Sequence, residues 1–175
     1  MKKCLIVVDY QNDFVNGSLP CGKAAEQIEP MILKKIQEYQ NDLVIFTCDT
    51  HRNPEYADSA EGGLFPMHCE EGTSGWEFFG NVKPPRNSVT IEKDTYGSYD
   101  LIRFLDSLQN VEQIEICGIA TNICVLHNVI LIYNKFKDIP ITVDAAACAS
   151  FDETLHRQAL ELMRGFGINV INLPE

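Results

Sequence analysis

The chain has 175 residues, 45% of them hydrophobic, and a formal net charge of −11. That length suits one domain, spanning 1–175, able to bury about two-thirds of its unfolded surface. So acidic a chain excludes nucleic acid and anionic membrane as partners, and no apolar stretch approaches a membrane span.

Strand and helix signals alternate along the sequence. Cys4–Val8 is a near-continuous apolar run and predicts a buried strand. Residues 24–40 carry helical spacing through Ile28, Met31, Ile32, Leu33 and Ile36. Strands are expected at 43–47 and 88–92. A short helix follows over 100–108, turning Leu101, Ile102, Phe104 and Leu105 inward. A strand at 114–119 runs into an apolar helix from Asn122 to about Lys137. A strand at 140–143 precedes a helix over 152–165, led by the capping-box pattern Ser150-x-x-Glu153. A last strand is expected at 168–171. Six apolar strands with helices between them predict a parallel sheet covered on both faces. Residues 50–87 break the alternation, being rich in Gly and Pro with little periodicity, and a connection that long points to function.

Seven cysteines, an odd number without tight paired spacing, suit a reducing compartment rather than a disulfide framework. The apolar run after Met1-Lys2-Lys3 is too short for a signal peptide and ends in Asp9. A cytoplasmic location is the expectation.

Asp9, Asp49, Lys93 and Cys124 all fall at or just past strand ends, where open α/β sheets bind ligands. Cys124 lies at a strand-to-helix turn, where free N–H groups and the helix dipole favour negative charge. A lowered thiol pKa is therefore expected there, although taken alone the residue reads first as a buried structural cysteine. Asp9 either caps the following loop or acts as a general base within hydrogen-bond reach of the thiol. Lys93 is either a solvated strand end or a cation set between carboxylate and thiol. Asp49 and His51 are two apart in an extended segment and share a face. With His68 and Glu61 from the long loop they would suit zinc, manganese or iron with open coordination positions. His127 and His156 sit inside helical patterns and read as packing or surface residues.

Five segments carry a more specific signal: V-D-Y-Q-N-D-F (8–14), C-D-T-H (48–51), F-P-M-H-C-E-E-G-T (65–73), the strand-ending Lys93, and G-I-A-T-N-I-C-V (118–125). In this order and spacing, from Lys3 to about Asp144, the chain resembles the isochorismatase-like cysteine hydrolases, and within them the nicotinamidase (pyrazinamidase) group. The resemblance implies a doubly wound six-stranded parallel sheet with helices on both faces. It implies a catalytic triad of Asp9, Lys93 and Cys124, with an oxyanion hole from the backbone N–H groups of Ala120 and Cys124. It also implies a cis peptide between Ile119 and Ala120.

The implied cofactor is one divalent metal ion, zinc first, with manganese and iron as alternatives. Its ligands would be Asp49, His51, His68 and a fourth residue that varies in the family. Glu61, seven residues before His68, is the expected fourth ligand, while Glu55 and Asp58 share its loop. Phe14, Leu19, Phe65 and Tyr96 are the implied substrate walls, with Phe65 standing where many members carry Trp. Asn122 stands where the family often has Asp. The implied reaction is hydrolysis of nicotinamide to nicotinate and ammonia, and of pyrazinamide likewise, through a thioester, as a step of NAD salvage. The expected partner is that small substrate alone, with a homo-oligomer left open. The rival on the same scaffold is a hydrolase of an aliphatic amide, a carbamoyl group or a vinyl ether. Those relatives generally lack the Asp-x-His…His cluster. A binding protein without turnover is disfavoured by the intact Asp9, Lys93 and Cys124, and a redox thiol protein by the absence of C-x-x-C at Cys124.

Overall fold

The first apolar run, Cys4–Val8, is wholly buried because its strand lies in the middle of a sheet covered on both faces. The computed structural model describes residues 2–86 and 88–173. Asn87, the expected end of the long loop, lies outside the described residues, as do Met1, Pro174 and Glu175. Among those described, six strands form one sheet: β1 (Lys2–Val8), β2 (Leu43–Asp49), β3 (Val89–Lys93), β4 (Val111–Ile119), β5 (Ile141–Ala149) and β6 (Asn169–Ile171). Their order is β3-β2-β1-β4-β5-β6, and every neighbouring pair is parallel.

From β1 the chain winds outward to β2 and β3, then returns to β4 on the other side of β1. Right-handed crossovers in both directions require helices on both faces. The first group is α1 (Asn12–Val15), α2 (Lys23–Gln27) and α3 (Glu29–Glu38), with α2 and α3 packing on β5 and α3 also on β1. The second is α4 (Tyr99–Ser107), α5 (Leu126–Lys135) and α6 (Glu153–Gly165), where α5 touches both α4 and α6. The winding direction reverses between β1 and β4, and that switch point is where such sheets open a crevice. Among the described residues, no helix is long and apolar enough to cross a membrane.

Several predicted boundaries are corrected. Residues 24–40 form two helices, α2 and α3, broken at Ile28. Pro30 explains the break: it suits the first turn of α3 but cannot lie in the middle of a longer helix, lacking an N–H and crowding the carbonyl four residues back. The capping box at Ser150 is not used. Asp152 caps α6 instead, accepting from the Leu155 N–H at 2.8 Å, while the Ser150 hydroxyl bonds Asn122 Oδ1. The strand expected at 140–143 continues to Ala149, across an irregularity in its pairing with β4. The helix expected from Asn122 begins as a π-turn over Thr121–Val125, closed by the Val125 N–H on the Ala120 carbonyl, before α5. Such wide turns recur at functional sites.

Candidate active site

Strand register brings the chemistry-bearing residues together. Lys93 lies directly across from Asp49, and Val8, just before Asp9, across from Thr47. Asp9 itself turns into the left-handed region, φ 45°, a conformation uncommon for non-glycine residues and typical of functional sites. Its side chain is fully buried, with Oδ1 accepting from the Thr47 hydroxyl at 2.6 Å and Oδ2 at 2.6 Å from Lys93 Nζ. Lys93 Nζ also reaches Asp49 Oδ1 at 2.9 Å and Cys124 Sγ at 3.7 Å. The lysine is thus no solvated strand end. The triad expected from sequence is one contiguous cluster.

Its electrostatics correct one expectation. Burial pushes the Cys124 thiol well above its ordinary value, and Lys93, already shared by two carboxylates, does not bring it down. Burial likewise raises Asp9 against the pull of Lys93, which makes it a stronger base once ionised. For Asp49 burial is outweighed by Lys93, His51 and His68, so its carboxyl lies well below the usual range. Burial would lower Lys93, but Asp49 and Asp9 outweigh it and keep the ammonium charged.

Asp49, His51 and His68 are all buried, and their ligating atoms lie within 4.8 Å of one another. Asp49 Oδ2 is 2.9 Å from His51 Nε2 and 3.3 Å from His68 Nε2. The His68 Nδ1–H donates to the Pro66 carbonyl at 2.8 Å, leaving Nε2 with its lone pair turned inward. His51 Nε2 is buried, and its approach to Asp49 Oδ2 lacks hydrogen-bond geometry. Two imidazole nitrogens and a carboxylate oxygen aimed at one point are electrostatically adverse without a cation between them, so the residues fit a divalent metal. Glu61 Oε1 lies 3.8 Å from His68 Nε2, while Glu55 and Asp58 are exposed on the loop surface.

Beside both clusters is a narrow pocket. Phe14, Leu19, Phe65 and Tyr96, the four walls implied by resemblance, all line it, together with Glu61, Ala120 and Cys124. Ile123 and Phe151 line it too and were not foreseen. Ile123 read as helix interior because the π-turn is invisible in the pattern. Phe151 follows the end of β5, so the rule that ligands sit beyond strand ends could have flagged it.

Three supporting residues were also missed. Gln11 clamps the Asp49 backbone, donating to its carbonyl and accepting from its N–H, both at 2.8 Å. Asn128 donates to the Cys124 carbonyl at 2.8 Å and accepts from Ser98 N–H at 3.0 Å, tying the nucleophile turn to α4. Tyr56 packs against both metal-site histidines. Asn122 does not leave the turn loose, because it pairs with Ser150. The Ile119–Ala120 peptide is cis. Of the two histidines set aside, His127 is exposed, and His156 is buried with Nδ1 2.8 Å from the Thr121 hydroxyl.

The isochorismatase-domain family model matches residues 3–175. The chain belongs to the isochorismatase family. Within the family it is similar to the solved nicotinamidase/pyrazinamidase PncA from Bacillus subtilis, with 35% identity and a TM-score of 0.87 over 97% of this chain and 99% of that one. It is also similar to the pyrazinamidase of Pyrococcus horikoshii in complex with zinc, at 28% identity and TM-score 0.87, covering 99% and 100% of the two chains. Among curated sequences, the nicotinamidase/pyrazinamidase of Mycobacterium tuberculosis is 26% identical over 191 residues, 97% of this chain and 98% of that one.

Proposed function

We propose that this chain is a nicotinamidase, a cysteine amidohydrolase that converts nicotinamide to nicotinate and ammonia and hydrolyses pyrazinamide likewise. The observation that carries the reading is that a thiol–carboxylate–lysine cluster and an Asp/His/His cluster border one small aromatic cavity. Relatives of that activity share the fold over nearly the whole chain.

In this reading Asp9 takes the proton of the Cys124 thiol as sulfur attacks the carboxamide carbon, so no thiolate need exist beforehand. Lys93 remains charged and offsets the negative charge that accumulates between Asp9 and the sulfur. Backbone N–H groups of Ala120 and Cys124 receive the developing oxyanion, each such donor being worth about a hundred- to a thousand-fold in rate. The proton on Asp9 passes to the departing nitrogen, and ammonia leaves a thioester on Cys124. Asp9, ionised again, draws a proton from a water molecule that attacks the thioester, and nicotinate departs with the thiol restored. A divalent cation held by Asp49, His51, His68 and Glu61 would take the pyridine nitrogen as a ligand and so fix the ring with its carboxamide at Cys124. Phe14, Leu19, Phe65 and Tyr96 enclose the ring. Zinc is the metal this donor set suits first, ahead of manganese and iron.

Seven free cysteines accord with a reducing cytoplasm, where the nicotinate formed would feed NAD salvage. The test is ammonia release from nicotinamide, pyrazinamide and benzamide, before and after chelation. Nicotinamide and pyrazinamide should be turned over only with metal, and benzamide, which lacks a ring nitrogen, poorly in either state. Benzamide matching nicotinamide, or full activity without metal, would refute the ring-anchoring part of the mechanism.

A further inference from the structure

Tyr56 stands out in the long loop as a large side chain only 5% exposed amid exposed neighbours. Its ring lies 4.4 Å from that of His51 at an angle of 51°, and 5.3 Å from that of His68, nearly perpendicular. Its hydroxyl is 3.2 Å from the Phe65 carbonyl, 3.1 Å from the Pro66 carbonyl and 3.2 Å from His68 Nδ1. One phenol therefore touches both histidines and the stretch of backbone that delivers the second of them.

The terminal torsion of a histidine side chain is broad and roughly two-fold, so surrounding groups decide which nitrogen faces inward. For His51 the backbone is fixed by pairing with the strand-like segment at Cys69 and Glu71, but that does not set the ring. The Tyr56 ring, tilted 51° against it at 4.4 Å, confines its plane, alongside the His68 ring at 4.8 Å. For His68 the ring is set by its Nδ1–H, which donates to the Pro66 carbonyl. The Tyr56 hydroxyl has one proton to give, and the carbonyls of Phe65 and Pro66 are within its reach. One of those two oxygens, that of Pro66, is the one that selects the His68 tautomer.

We propose that Tyr56 is the positioning residue of the metal site: it orients both histidine rings and holds His68 in the tautomer whose Nε2 can ligate. This rests on the metal-site reading given under the proposed function, and not on the identity of the substrate. Partners that orient ligating histidines from behind typically change metal affinity by about 10- to 100-fold when removed. Tyr56→Phe deletes the hydroxyl and keeps both ring contacts, so it separates the two parts of the role. Tyr56→Ala removes both.

The experiment measures zinc affinity by competition with a chromophoric chelator at fixed pH, for the wild-type chain and both variants. In the metal-free proteins, long-range proton–nitrogen NMR reads the His68 tautomer. Tyr56→Phe should weaken zinc binding about 10-fold and mix the His68 tautomers, and Tyr56→Ala should weaken binding about 100-fold. If Tyr56→Ala does not fold, Tyr56→Phe with its two readouts still decides. Zinc affinity within twofold of wild type in Tyr56→Phe, with the Nδ1–H tautomer retained, would overturn the proposal, even if the variant melts at a lower temperature. A wild-type chain that binds no zinc would overturn it together with the metal site itself. Tight zinc binding by a wild-type chain that leaves nicotinamide untouched would sink the substrate reading alone.

Discussion

Replacing Lys93 by methionine keeps most of the side chain's length and removes its charge together with its N–H donors. The ammonium is buried, 2.6 Å from Asp9 Oδ2 and 2.9 Å from Asp49 Oδ1. Removing one partner of a buried ion pair costs about 3–5 kcal/mol, because the other charge stays desolvated. Against a typical total stability of about 5–15 kcal/mol, the variant folds but has little margin. At this chain length each kcal/mol moves Tm by about 2–4 °C, so a fall of roughly 6–20 °C is expected. Thermal unfolding followed by circular dichroism should be run with metal removed by chelation, so that no cation substitutes for the lysine. Adding Asp9→Asn removes one stranded carboxylate and should return part of the lost Tm. Turnover behaves in the opposite sense: each single variant should lose most of kcat, and the double variant should be little worse than either, because residues acting as a unit are non-additive. A Lys93→Met protein melting within 2 °C of wild type, or rate losses that simply multiply, would show that the three groups do not form one electrostatic unit.

Gly118 should not tolerate alanine. Its φ is +119°, and a Cβ there would lie 2.1 Å from the Val8 carbonyl oxygen, a clash with central-strand backbone worth roughly 4 kcal/mol or more; soluble Gly118→Ala with wild-type Tm would disprove the packing argument. Cys124 should label slowly with iodoacetamide at neutral pH and faster only in alkaline solution, since burial holds its thiol protonated, whereas Cys124→Ala should abolish turnover with Tm little changed. Rapid, selective labelling of Cys124 at pH 6 would show a thiolate already present and remove the need for Asp9 as base.

Apolar runs were enough to place the inner strands, because a parallel sheet buried on both faces demands near-continuous hydrophobic residues there, while β3 at the edge alternates between half-buried and exposed before Lys93. Asp9, Asp49, Lys93 and Cys124 could be placed at one sheet edge for the same reason, with no knowledge of side-chain contacts. Where the reading failed, the deciding interaction was not periodic. Pro30 splits a helix that apolar spacing treats as continuous, and Asp152 wins the cap because Ser150 is taken by Asn122. The local sequence shows a helix terminus at the thiol but not its burial beside Asp9 and Asp49, which raises its pKa. Tyr56 and Gln11 were missed because their partners lie elsewhere in the fold or loop, at spacings no pattern signals.

Lys93, Asp49, Asp9 and Cys124 come from or just beyond β3, β2, β1 and β4, neighbours in that order. Turnover is therefore a sentinel of correct threading. A strand that slips by one residue shifts by about 3.3 Å and turns its terminal side chain to the opposite face. Such a molecule keeps its helices and its circular dichroism, yet it is silent in an ammonia assay. Specific activity in a refolded preparation then reports the fraction of chains in which the three registers joining these strands are all right. Spectroscopic folding yield and active-site yield should part company whenever one of those strands settles out of step.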